Sequence, residues 1–455
     1  MNYQSSIAPV AERLKGKFLL SNTFRILKNP VTFLGELPRC YGPVVHFTLG
    51  VKSYFVLQHP DYIKNVLLDN HKAYSKPGAT KILRLFLGEG LSTSNGELWL
   101  RQRRIMQPAF HKQRIALVLR IINEEITKLT DRLQSFATGS TINLSHEFLQ
   151  LTIAIISRAM FSTALKKEMD SMIHALETLA NYASKWMKSP VKIPANWRIP
   201  SNNDFRKNCK IFDDIIYSMI EKRKIYRSDL LLSPHDDLLD MLLDYTGENI
   251  EDGMTEKQLR DEVTTMFMAG HETTAQTLSW IFYHLAKDKS IYTKVKEESN
   301  NILNNRLPEL DDLPHLAYTK QVVQEGLRLY PPIWALVRKP YHDENINGIE
   351  IPRSSYALIN IYGIHHHPRF WEHPDDFEPN HFTVEKEQSR HPFTFLPFGG
   401  GPRLCLGSNF AMMVMQVTVC RLIKQFEFAI AEDYQPEIEI NITLRAKNGI
   451  QLIKK

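Results

Sequence analysis

Pro397-Phe398-Gly399-Gly400-Gly401-Pro402-Arg403-Leu404-Cys405-Leu406-Gly407 decides how this chain is read. Its glycines and a proline build a tight loop ending in a cysteine, and the spacing of apolar residues from about Ser408 to Phe426 predicts a helix opening at that cysteine. A helix N-terminus and neighbouring backbone N–H groups stabilise an anion, so a thiol placed there ionises readily and can ligate a metal as thiolate. Glycines keep side chains away from whatever the sulfur faces. An arbitrary cysteine beside a turn is more often a buried structural thiol, but the residues around this one reverse that preference.

Working outward, Thr255-Glu256-Lys257-Gln258 reads as a capping box that opens a long helix running to about Lys287. At about 1.5 Å per residue it spans ~50 Å. Met266, Phe267, Met268, Leu278, Trp280 and Ile281 place apolar groups on most of its sides, which predicts a passage through the core. Within it, Ala269-Gly270-His271-Glu272-Thr273-Thr274 combines a glycine, costing about 1 kcal/mol against alanine, with a hydroxyl able to bond the i−4 carbonyl. A local opening of the helix is expected there. A zinc-protease motif, H-E-x-x-H, fails because Ala275 stands where its second histidine would be. Glu325-Gly326-Leu327-Arg328 sets an acid and a base at i, i+3 on one helical face, followed by Leu329-Tyr330-Pro331-Pro332.

Phe398, Gly401, Arg403, Cys405 and Gly407 fill the pattern F-x-x-G-x-R-x-C-x-G, and the chain thereby resembles the cytochrome P-450 superfamily, in its soluble bacterial form. The resemblance implies heme b, with Cys405 as the axial thiolate of its iron, whose electron donation favours O–O cleavage. It places Phe398, Gly407 and Ala269 against the heme. It assigns Arg403, with Trp99 and Arg103 of a W-x-x-x-R helix, Arg338 and Lys76, to the heme propionates. Glu272 and Thr273 match the family's acid–alcohol pair, which manages water and protons beside dioxygen. Glu325 and Arg328 match the buried E-x-x-R pair that locks the core against the loop before the cysteine. Its usual third member is an arginine in P-E-R-F, whereas this chain reads Pro379-Asn380-His381-Phe382, so His381 is expected to donate to Glu325 or a carbonyl. The run His365-His366-His367 matches the family's H-x-x-P…W stretch through His365, Pro368 and Trp371, and is assigned to structure rather than to a metal. The substrate pocket maps onto Phe86, Phe267, Ala269, Ile333, Trp334 and Leu336, all apolar, with Lys81 and Arg84 the only cations near its entrance.

The rest of the sequence agrees. Val44–Leu49 and Ser53–Leu57 around Gly50 read as a hairpin, Gly348–Pro352 and Tyr356–Ile361 as strands, and the alternation Ile438, Ile440, Ile442, Leu444 before Asn448-Gly449 as a second hairpin. Between about Asp61 and Tyr330 apolar residues recur at helical spacing, as in Leu144, Phe148, Leu151 and Ile155. The fold expected is mainly α with small β-sheets, an α+β cytochrome P-450 domain over residues 1–455, its long central helix crossing the heme. Over 455 residues, 56 basic against 50 acidic side chains leave a surplus of +6, too dilute for nucleic-acid binding. Cys40, Cys209, Cys405 and Cys420 lie far apart and form no C-x-x-C, which fits a reducing, cytoplasmic setting. The N-terminus carries charges before any long apolar run, so no signal peptide or transmembrane anchor is expected. No flavin, iron–sulfur or G-x-G-x-x-G motif accompanies the chain, so no fused reductase is expected and electrons come from a ferredoxin or flavodoxin, with Lys424 and Arg421 as candidate docking cations. The function implied is a monomeric heme-thiolate monooxygenase that uses dioxygen to hydroxylate or epoxidise an apolar small molecule, a fatty acid or terpenoid ahead of a steroid or polyketide. The rivals are a heme-thiolate peroxygenase or isomerase, which dispenses with the acid–alcohol pair, and a noncatalytic helical binding protein with a structural Cys405.

Overall fold

The computed structural model describes residues 11–14, 25–26, 28–77, 81–110, 112–165, 167–189, 193–229, 237–246 and 253–455; most of the charged N-terminal run lies outside them. These residues form two compact units, one drawn from 1–78 and 327–405 and the other from 79–326 and 406–455. Among them no helix is long and apolar enough to cross a membrane.

The first unit is built on a six-stranded sheet in the order Glu12–Arg13, Val44–Leu49, Lys52–Leu57, Tyr356–Ile359, Leu336–Pro340, Tyr74–Ser75. The expected first hairpin is present, antiparallel with Val45 opposite Val56, and Gly50 takes the positive φ of +60° that the reversal needs. Because side chains alternate across a strand, Val45, Phe47 and Val56 pack beneath the helix Pro30–Cys40, while Val44, Phe55 and Leu57 meet Leu67, Ile359 and Leu396 on the other face. That second face is where the cysteine loop is anchored.

The second unit is mainly helical. Its centre is the helix Glu256–Lys287, whose Thr255–Gln258 capping box forms as read, with Leu144–Phe161 packed along it. Leu144, Phe148, Leu151 and Ile155 are all buried, the stripe their spacing predicts. The long helix runs unbroken through Gly270, so the opening expected there does not form. Gly270 has a packing reason instead: a Cβ at that position would stand 2.7 Å from Ile156 Cδ1.

The C-terminal alternation also resolves differently. Strands Ile438–Ile440 and Leu444–Ala446 form the hairpin by reversing at 441–443. Asn448 and Gly449 do adopt left-handed turns, φ 64° and 73°, but the strand that follows, Gln451–Lys454, pairs with Phe428–Ala429 and Thr141–Asn143 rather than folding back on its predecessor.

Candidate active site

In the first unit, Cys405 is exposed at the end of the glycine loop, with its backbone N–H donating to Phe398 O at 3.1 Å. The helix begins at Ser408 with Gly407 in the cap position, three residues after the cysteine rather than at it. Gly399 and Gly401 hold φ of +75° and +67°, and a Cβ on Gly401 would lie 1.8 Å from the Leu67 carbonyl oxygen, so no larger residue fits. Leu336 lines this loop, 3.7 Å from where a Gly399 Cβ would be. Lys76, Arg338 and Arg403, which the sequence assigns to one anionic partner, do come together. Lys76 is pulled down to about 7, first by desolvation and then by the charges of Arg403 and Arg338. Arg338 is buried, which lowers it to about 10. Three cations gathered where water is scarce create a field that suits a multiply charged anion.

The loop's support runs through a buried polar knot. Arg328 is completely buried; its Nη1 donates to His365 O and Pro374 O, each at 2.7 Å, its Nη2 to Asp376 O at 2.9 Å, and its guanidinium lies 5.1 Å from the Trp371 ring centroid. Glu325, on the same helix Ala317–Leu329, is equally buried. His365 links this knot to the cysteine loop: Nδ1 donates to Arg328 O at 3.1 Å and Nε2 accepts the Leu396 N–H at 2.8 Å. Only the neutral ring can do both, and burial, followed by the His366 and Arg328 charges, holds its pKa far below the usual histidine range. His365 is therefore structural, as read, and among the described residues no cluster of three or more His, Cys, Asp or Glu could hold a metal ion. His381 donates from Nε2 to the Glu372 carbonyl at 2.7 Å, the carbonyl option of the sequence reading. Arg390, which the sequence gave no reason to notice, stacks 3.9 Å above the Trp371 ring and donates to His381 O.

In the second unit, every residue of the long helix from Leu259 to Phe282 is buried except Met266, Met268, Ala269, Gly270 and Thr273. Met266, Ala269, Gly270 and Thr273 recur at i, i+3, i+4 and i+7, so they share one face, and that face is the open one. Thr273 Oγ1 donates to Ala269 O at 2.9 Å, the i−4 bond its position predicts. Glu272 sits off this stripe and is buried; burial raises its pKa against the opposing pull of Arg445, 3.9 Å away. Phe267 is fully buried and stacked on Phe161 at 4.9 Å, so its ring faces the helix Leu144–Phe161 rather than the open stripe. Phe86 likewise packs inward, edge-on to Phe205 at 6.3 Å.

Trp99 and Arg103 share one face of the helix Gly96–Met106, the guanidinium 5.9 Å from the indole centroid. The loop before that helix is fastened to the long helix by two backbone donors, Glu89 N–H to Asp261 Oδ2 and Leu91 N–H to Glu262 Oε2, both at 2.9 Å. Glu262 is completely buried, which raises it to about 8. Arg84 is engaged with Thr93 O at 2.9 Å and Glu89 at 3.4 Å, and Lys81 is exposed. Ile333 and Leu336 are partly buried against the sheet face that holds the loop, whereas Trp334 packs on the opposite face with Phe47 and Leu358. Arg421 is a correction: it is buried and donates to Asn123 O at 2.5 Å and Thr127 Oγ1 at 3.0 Å, which removes it from any docking surface.

The family model described as "Cytochrome P450" matches residues 14–453. The chain is similar to the protein LUTEIN DEFICIENT 5, chloroplastic, of Arabidopsis thaliana, 30% identical over 444 residues that cover 92% of this chain and 73% of the relative. It is also 30% identical over 413 residues to the cyclooctat-9-en-7-ol 5-monooxygenase of Streptomyces melanosporofaciens, covering 90% and 87%. A mouse relative, "Cytochrome P450 4A10", is 29% identical over 456 residues, covering 97% and 87%.

Proposed function

From the premise that this chain belongs to the cytochrome P-450 family of heme monooxygenases, we propose that it binds heme b through Cys405 and transfers one atom of dioxygen to an apolar small molecule. The observation that carries this reading is the gathering of Lys76, Arg338 and Arg403 in the unit that bears the cysteine loop. Three partly desolvated cations repel one another, and the two propionates of heme b would offset that repulsion with charge-assisted bonds. Phe398 and Gly407 would flank the thiolate. When bound, the heme supplies dioxygen activation at an iron whose thiolate ligand donates electron density.

The chain's own residues then do the remaining work. Gly401 lets the loop pass close against the Leu67 carbonyl, and the Arg328–His365–Leu396 relay fixes the loop that presents the cysteine. The Thr273 hydroxyl, which rests on the Ala269 carbonyl, turns from it to hold a proton near the open stripe of the long helix; its i−4 bond supports this reading. Glu272 supplies protons from behind that stripe. Met266, Ala269 and Gly270 offer mainly apolar surface, which selects by shape at about 25 cal/mol per Å² buried. A fatty acid or terpenoid fits such a surface, and the Streptomyces relative named for cyclooctat-9-en-7-ol supports a substrate of that polarity. Phe86 and Phe267 brace the pocket from the core rather than line it. The single family match across residues from both units supports one catalytic domain. Electrons come from a separate ferredoxin or flavodoxin, and the protein acts as a cytoplasmic monomer.

The reduced protein under carbon monoxide should show the red-shifted Soret band of a thiolate-ligated heme, and Cys405→Ser should abolish it while the circular dichroism of the fold persists. A normal band in that variant would exclude Cys405 as ligand. Heme spectral shifts across fatty acids, terpenoids, steroids and polar metabolites then decide the substrate: a response confined to polar compounds overturns the apolar reading.

A further inference from the structure

Behind Glu272 the C-terminal hairpin presents a charged ladder that runs from solvent into the core. Glu439 and Arg445 stand directly opposite each other on its two strands. Side-chain exposure falls from 39% at Glu439 through 20% at Arg445 to 9% at Glu272. Arg445 Nε and Nη2 both reach Glu439 Oε2 at 2.9 Å, and Nη2 also donates to Asn181 Oδ1 at 3.1 Å. Asn441 Nδ2 donates to that same Asn181 oxygen at 2.8 Å, which fixes the amide. The remaining nitrogen, Nη1, points at Glu272 but stops 3.9 Å from Oε1, within range of its charge and beyond a hydrogen bond.

The guanidinium is thus fastened toward the surface and withheld from the acid. We propose that Arg445, tethered by Glu439 and Asn181, is the positioning residue for Glu272: it lends the buried carboxyl positive charge without closing on it as a bidentate pair, so that protons can pass on toward Thr273. A closed, bidentate arginine–carboxylate pair would hold the acid ionised and immobile, and an apolar neighbour would leave it permanently protonated. The intermediate spacing avoids both.

The influences on Glu272 oppose one another: burial raises it most, Arg445 and then the Thr443 side chain lower it, and Glu439 raises it. Lys188, on the helix Met169–Lys188, reaches the hairpin at Ile440 O, 2.5 Å away, and feels both Glu439 and Arg445. His271, next along the long helix, turns away and donates Nδ1 to Phe267 O at 2.8 Å.

This inference rests on reading Glu272 as the proton-supplying acid, and its test separates the two. In the heme-loaded protein the carboxyl infrared band is titrated, with Glu272→Gln identifying the Glu272 component. Glu439→Gln should release Arg445 toward the acid and move the midpoint down by about one pH unit, a tenfold change in proton affinity. Arg445→Gln should move it up by a similar amount, and Arg445→Lys, which keeps the charge without the fork, should restore most of the wild-type value. A midpoint unmoved by both Glu439→Gln and Arg445→Gln overturns the proposal. If Arg445→Gln does not fold, the half-exposed Glu439→Gln decides alone. Product formed per electron is measured beside the titration: Glu439→Gln should lower it several-fold and enlarge the solvent isotope effect. Product per electron unchanged in Glu272→Gln would remove the acid from the reaction while leaving the titration result to stand or fall by itself.

Discussion

Arg328 and Glu272 are both charged side chains taken out of water, and the protein treats them in opposite ways. Arg328 meets three backbone carbonyls at 2.7–2.9 Å and an aromatic face, so its donors are directed at fixed partners. Glu272 has its arginine at 3.9 Å, with that arginine's short bonds made to Glu439 and Asn181. A saturated buried charge is locked in one protonation state and one geometry; a loosely paired one keeps its titration within reach. The contrast separates the groups that hold the cysteine loop from those that would move protons.

The hardest test of that contrast is Arg328→Met. It leaves the buried His365 carbonyl and the partly buried Pro374 and Asp376 carbonyls without their donor and should cost about 3–5 kcal/mol in urea unfolding. A loss under about 1 kcal/mol would mean that the knot is no tighter than the loose site. Glu262→Gln sharpens the comparison from the other side, because Glu262 is a buried acid raised to about 8 that accepts the Leu91 N–H. The folded state holds a proton that the unfolded chain has released, so wild-type stability falls as pH rises from about 4.5 to about 8 and then levels off. Glutamine can still accept from Leu91 and has no proton to lose. The variant should gain on wild type across that window, by up to about 5 kcal/mol at the top of it; parallel stability curves would show that Glu262 titrates normally. Thr273→Ala should be smallest in stability, within about 0.5 kcal/mol, since alanine favours a helix and only an i−4 back-bond is lost. Its effect belongs to function: product per electron should drop several-fold as reducing equivalents end in peroxide, and an unchanged yield would remove the hydroxyl from proton handling.

The local features of this chain were legible because each is written in neighbouring residues. The Thr255–Gln258 cap, the Gly50 reversal, the Leu144–Ile155 stripe and the glycine loop all follow from spacing of a few positions. What could not be read was which face of an element is used. Apolar residues surround the long helix, so nothing in the sequence says that Phe267 turns to Phe161 while Ala269 and Thr273 face the opening. Arg421 reads as an ordinary surface cation until Asn123, nearly three hundred residues earlier in the chain, takes it into the core. Glu439, Arg445 and Asn181 carry no motif, because their role depends on a hairpin reversing at 441–443 rather than at the stronger turn signal, Asn448-Gly449. Arg390 and the His365–Leu396 bond are missed for the same reason: their partners are set by tertiary packing, not by spacing.

The order of strands in the first sheet also matters while the protein is being made. Lys52–Leu57 pairs on one side with its hairpin partner and on the other with Tyr356–Ile359, whose residues follow roughly 300 positions later. At about 5–20 residues per second, a ribosome takes tens of seconds to cover that distance. Throughout that interval the N-terminal hairpin is available but one row of its backbone N–H and C=O groups has no strand to meet, the kind of open edge on which nascent chains associate with one another. The sheet that bears the cysteine loop is therefore among the first structures begun and among the last completed, and its yield in a cell depends on what shields Tyr54 to Leu57 until Tyr356 leaves the tunnel.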